Sequence, residues 1–95
     1  MPLVVGVVAR RKETLREVEA GLIQNNQDQI RKRDWTGMLW LKDGTQIYFF
    51  QDLDVERVKA HRFDQLWLCG CPDNGFMGNV RLTDKVPEEW RIQYI

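Results

Sequence analysis

Gly37-Met38-Leu39-Trp40-Leu41-Lys42-Asp43-Gly44-Thr45-Gln46-Ile47-Tyr48-Phe49-Phe50 is the stretch that decides the fold. Two apolar runs flank an Asp-Gly pair. That is a strong hairpin signal, because both central positions of a two-residue hairpin turn require positive φ. With Asp43 and Gly44 as the loop, Lys42 faces Thr45, Trp40 faces Ile47 and Met38 faces Phe49. This register predicts one face of Met38, Trp40, Ile47 and Phe49, and another of Leu39, Leu41, Tyr48 and Phe50. Both faces are apolar, so each is expected to be covered.

Upstream, Leu3-Val4-Val5-Gly6-Val7-Val8-Ala9 is a nearly continuous β-branched run, the pattern of a strand covered on both sides. Thr14-Leu15-Arg16-Glu17 has the spacing of a capping box, and Leu15, Val18, Leu22 and Ile23 fall on one helical face. Gly21 weakens that helix, and Asn25-Asn26 is its expected stop. The polar stretch from Gln24 to Arg33 reads as a helical extension or a loop. Downstream, Asp52 or Asp54 is placed to cap a short helix through Val55, Val58 and Ala60. Phe63-Asp64-Gln65-Leu66-Trp67-Leu68 reads as a strand, and Cys69-Gly70-Cys71-Pro72-Asp73-Asn74-Gly75 as a break. Short strands are expected at Asn79 to Leu82 and Trp90 to Ile95.

The expected class is therefore α/β (α+β), one domain over residues 1–95, a single sheet with two helices in β-α-β-β-α-β order. A ferredoxin-like sandwich with both helices on one face fits that order. So does a partial doubly wound sheet with the first and last strands parallel.

Ninety-five residues leave no room for a second domain. An apolar fraction of 43% argues for a packed core and against disorder. No apolar run approaches the ~20 residues of a membrane span. The N-terminal apolar stretch precedes its basic residues, the reverse of a secretory signal. Two cysteines, Cys69 and Cys71, are too few for a disulfide scaffold and too close for an unstrained bridge. A reducing, cytoplasmic setting is the expectation.

Formal charge is zero, but it divides into +3 over residues 1–33 and −3 over residues 34–95. The positive excess lies in two triplets, Arg10-Arg11-Lys12 and Arg31-Lys32-Arg33, the candidate contacts to nucleic-acid phosphates. If the first helix runs antiparallel to the first strand, the two triplets do not form one patch. The hairpin aromatics Trp40, Tyr48 and Phe50, with Phe49, are more than so small a core needs, so an interface with a second copy or a protein partner is expected. Cys69, Cys71, His61 and Asp73 make a poor zinc set, since one residue between the cysteines is too few. No metal and no cofactor is expected. A cysteine nucleophile would need His61 beside it, and only proximity in sequence suggests that. Glu88-Glu89 reads as a solvated turn, and Asp52 with Asp54 as helix capping.

Val7-Val8-Ala9-Arg10, Thr14-Leu15-Arg16, the Gly44-Thr45 hairpin, Asp52-Leu53-Asp54 and Phe63-Asp64-Gln65-Leu66-Trp67-Leu68 together carry a resemblance. In short pieces over roughly residues 4–68, the chain resembles the P-loop ATPase core of the large terminase subunit of tailed bacteriophages. The resemblance implies a strand ending in a basic residue, a helix, a hairpin, a short helix and a strand leading to the Walker B acids. The chain departs from that pattern where chemistry is done. It has no glycine-rich Walker A loop with its lysine. Cys69 and Gly70 stand where the family has its acidic pair. The resemblance and these departures together imply a small non-enzymatic protein of phage or prophage origin, acting in the host cytoplasm through protein or DNA contacts. The competing readings are a self-associating ferredoxin-like regulatory module and, third, a small enzyme using Cys69 or Cys71.

Overall fold

The computed structural model describes residues 2–34, 38–70, 78 and 80–95, with the backbone alone for residues 32–34. Gly37, the break at residues 71–75 and Asn79 lie outside the described residues.

Among the described residues ten short elements succeed one another along the chain. They are β1 (Val4–Ala9), α1 (Lys12–Asn25), a 3-10 turn (Gln27–Gln29), β2 (Ile30–Asp34), β3 (Met38–Leu41), β4 (Gln46–Gln51), α2 (Val55–Lys59), β5 (Gln65–Cys69), α3 (Glu88–Arg91) and β6 (Ile92–Tyr94). The strands form one mixed sheet in the order β2-β3-β4-β1-β5-β6. The α/β (α+β) class therefore holds, with β2 and α3 added to the expected elements and β6 falling within the strand expected at Trp90 to Ile95.

The β-branched run occupies the centre, and Val7 and Val8 are wholly buried. It pairs in parallel with β4 (Val5 opposite Ile47) and with β5 (Gly6 opposite Leu66), while β6 extends the parallel set beyond β5. Period-2 alternation then sorts the core into two layers. Val5, Val7, Ala9, Leu39, Ile47 and Phe49 meet Leu15, Val18, Leu22 and Ile23 of α1. Val8, Phe50, Leu66 and Leu68 meet Val55 and Val58 of α2, together with Phe63. The helices thus lie on opposite faces of a partly parallel sheet. A ferredoxin-like sandwich, antiparallel with both helices on one face, has a different plan; the doubly wound alternative is the one observed.

Several local expectations give way. The hairpin register is shifted by one: Leu39 faces Ile47, and Trp40 faces Gln46. The cause is a three-residue loop. Gly44 N–H donates to Leu41 C=O (3.1 Å), Gly44 takes φ +94°, and Leu41 N–H donates to Thr45 C=O (2.8 Å). This is a turn closed by one left-handed glycine. The Asp43 carboxylate accepts from Thr45 N–H at 2.8 Å, a bond that lowers its pKa. Leu39 and Leu41 consequently share a face with Ile47 and Phe49, not with Tyr48 and Phe50. The capping box is not formed either. Helix α1 begins at Lys12 after Arg11, with no side-chain cap, and Thr14 lies inside it. Its end matches the expected stop, where Asn26 Nδ2 donates to Leu22 C=O at 3.0 Å. The polar stretch after it becomes β2, an edge strand that needs no apolar face. In the tail, Leu82 makes only an isolated bridge to Phe63, and Trp90 closes a helical turn before β6.

Candidate functional site

In sheets of this kind, ligands meet the carboxyl ends of parallel strands, where successive connections leave towards opposite faces. Here β1 departs to α1 on one face and β4 departs to α2 on the other, so the switch lies between their ends. The groups there are Arg10, Arg11 and Lys12 after β1, and Asp52 after β4. Arg10 Nε pairs with Asp52 Oδ2 at 3.5 Å, Asp52 N–H donates to Ala9 C=O at 3.1 Å, and Gln51 Nε2 donates to Arg10 C=O at 3.2 Å. These bonds splice the two strand ends and hold the Arg10 backbone. The Arg10 side chain remains 67% exposed while Asp52 is nearly covered. Arg11 and Lys12 are exposed as well, at the first turn of α1. This end of the sheet thus presents three consecutive cations, the first of them paired with Asp52.

The second triplet lies elsewhere. Arg33 is level with Leu39, which is level with Ile47 and so with Val5, three strands from β1. At ~4.8 Å per strand and ~3.3 Å per residue, Arg33 and Arg10 are roughly 20 Å apart in the sheet. Arg31 is exposed on that edge strand, whose members Lys32 and Arg33 are described by backbone only. The two triplets do not form one patch.

The aromatic candidates also separate. Phe50 is 1% exposed and belongs to the core, not to a surface. It is packed edge-on against Phe63 (5.7 Å) beneath the Arg57 guanidinium (5.1 Å). Tyr48 is half-buried, its ring in tilted contact with that of His61 at 4.5 Å, and its hydroxyl donates to Gln46 Oε1 at 2.9 Å. Trp40 is half-buried on β3. The alternation that sets Tyr48 and Phe50 on one face of β4 is legible in the sequence, whereas the burial of Phe50 under α2 and Phe63 is not.

The cysteine chemistry is equally well placed by the sheet. Cys69 is buried in the layer beneath α1, whereas His61 packs at a tilt against Tyr48 and Phe50 in the opposite layer. The sheet itself stands between thiol and imidazole. Burial also pushes the Cys69 thiol pKa up, away from the thiolate a nucleophile requires. Cys71 and Asp73 lie outside the described residues, among which no group of three metal-ligating side chains occurs. At Gly70 the backbone takes φ +85°, a conformation in which a side chain is strained. In a Cys71→Ser background, Cys69 is expected to resist an alkylating reagent in the native protein at pH 8 and to react fully in denaturant. Rapid native labelling would contradict its burial.

Sequence reasoning does not find an apolar cleft of about 260 Å³ between the C-terminal half of α1 and the sheet, lined by Leu3, Leu22, Ile30, Leu41 and Trp67. Its polar neighbours are engaged already: Asn26 with Leu22, and Thr45 Oγ1 as acceptor from Leu3 N–H. Among the described residues no helix is long and apolar enough to cross a membrane. No known protein family, curated protein or solved structure matches the chain.

Proposed function

We propose that this chain is a non-hydrolytic binding protein of phage or prophage origin, resembling a terminase-like ATPase core reduced to its scaffold. It contacts the phosphates of duplex DNA through Arg10, Arg11 and Lys12. The observation that carries the reading is the grouping of these three exposed cations at the carboxyl ends of the parallel strands. Long cationic side chains there neutralise phosphates and release counterions, which supplies affinity without sequence selectivity. The plan of strand, helix, hairpin, short helix and parallel strand is also the one the resemblance implies. The end of β5, where the resemblance places the acidic pair, gives no purchase for hydrolysis: Cys69 faces the core and Gly70 carries no side chain.

Three phosphate contacts give a slope of log affinity against log salt of about −2.7 on duplex DNA. Fluorescence anisotropy with a labelled duplex should therefore show binding at low salt that falls by roughly fortyfold between 50 and 200 mM. Absence of binding at every salt concentration would remove the proposal and leave a protein-binding module. The second triplet, on β2, is a separate and weaker candidate, since Asp34 adjoins it.

A further inference from the structure

We propose that β6 is a self-association edge, at which two copies of this chain join antiparallel about a two-fold axis into one continuous sheet. Among the described residues the sheet has two open edges, β2 and β6. That of β2 carries Arg31, Lys32 and Arg33, charges that guard a strand against pairing with its own copy. That of β6, Ile92-Gln93-Tyr94, carries none. Among the described residues four large hydrophobics are exposed, and three of them, Trp90, Tyr94 and Ile95, surround this strand.

The backbone fixes how a second copy fits. Ile95 N–H donates to Leu68 C=O (2.9 Å) and its C=O accepts from Gly70 N–H (3.5 Å), so Ile95 turns its polar groups towards β5. Peptide groups alternate along a strand, so Gln93 does the same, and Ile92 and Tyr94 present theirs to the open side. A two-fold through Gln93 sets Ile92 of one copy against Tyr94 of the other. Each such pair exchanges both backbone hydrogen bonds, and the aromatic and β-branched side chains meet on the same face. The same axis brings Trp90 of each copy next to the other's Ile95.

Charge favours a second copy in this orientation. Glu88 and Glu89 of the two copies fall at opposite ends of the joint. Each pair lies past the carboxyl end of the other copy's strands, where Arg10, Arg11 and Lys12 emerge. The separation from β1, about three strand spacings or ~14 Å, makes this attraction a matter of orientation more than of affinity. Pairing β6 with β2 of a second copy instead would leave a free edge on each side and build an open chain of molecules.

Sedimentation velocity on the full chain over a concentration series tests the proposal, independently of any DNA contact. A concentration-dependent dimer is expected. Tyr94→Pro removes only an outward N–H and leaves the bonds of Gln93 and Ile95 to β5, and Tyr94→Lys puts a charge on the edge. Both variants should be monomeric at concentrations where the parent is dimeric, with unchanged circular dichroism; if the proline variant unfolds, the lysine variant decides. A parent that stays monomeric at high concentration overturns the proposal. So does a dimer insensitive to Tyr94→Lys, a dimer lost instead on Arg31→Glu, or an open-ended ladder of oligomers.

Discussion

Asp64→Ala is expected to lower the unfolding free energy by about 2–4 kcal/mol, measured by urea titration. Asp64 is 2% exposed, yet it has an acidic side chain at the rim of the core. Its Oδ2 accepts from Val4 N–H at 2.7 Å, and its Oδ1 accepts the Thr83 hydroxyl. Its own N–H donates to Val4 C=O at 2.8 Å. One carboxylate therefore ties the start of β1 to the start of β5 and to the segment that bridges to the Phe63 backbone. Truncation leaves the Val4 amide and the Thr83 hydroxyl without their acceptor in a place water reaches poorly, which costs more than the bonds contribute net. Asp64→Asn separates this role from a need for charge. The amide oxygen can accept from Val4 while the amide nitrogen donates to Thr83 Oγ1, so most of the stability should be retained. An alanine variant as stable as the parent would show that the clamp is dispensable.

Gly6→Val is expected to cost more than about 3 kcal/mol, and Gly6→Ala about 1–3 kcal/mol, because any side chain here overpacks the contact of β1 with its neighbours. A Cβ at Gly6 would sit 2.9 Å from Phe63 Cε1 and 3.1 Å from Leu66 Cδ1. Both neighbours are fully buried, and β1 is held on each side by parallel partners, so neither ring nor strand has space to retreat. The absence of a side chain is what lets the Phe63 ring lie on the central strand. A double-mutant cycle with Phe63→Leu should recover a measurable part of the loss, since the smaller side chain vacates the contact. Fully additive effects of the two substitutions would contradict this packing.

The central strand, helices α1 and α2 and the hairpin are legible because each is written in apolar periodicity or in turn chemistry. Asp43-Gly44 locates the turn, but Gly44 alone takes positive φ, and the added loop residue shifts the register by one. That slip exchanges the face of every residue on β3, as a period of two demands. It does not change the layer of Phe50, whose burial comes from Phe63 and α2 arriving from distant sequence. Strand β2 is hidden because Ile30–Asp34 lies at an edge, where charge is favoured and apolar pattern is absent. The Thr14-Glu17 box misleads because α1 starts as soon as β1 ends, two residues ahead of the threonine. The basic triplet itself is visible as composition. Its placement at the switch between β1 and β4, tied to Asp52, is a property of the parallel pairing and lies in no local stretch of sequence.

A DNA-binding role for this sheet stands or falls with Arg10, Arg11 and Lys12 acting together on phosphate. The direct measurement compares the salt dependence of duplex DNA affinity in the parent chain and in a variant carrying Arg10→Ala, Arg11→Ala and Lys12→Ala. These side chains are exposed, so the variant is expected to fold, which circular dichroism verifies. Its binding should be weaker at every salt concentration, with a log–log slope shallower by about 2.7. Equal slopes for the two proteins would contradict a phosphate contact at this triplet.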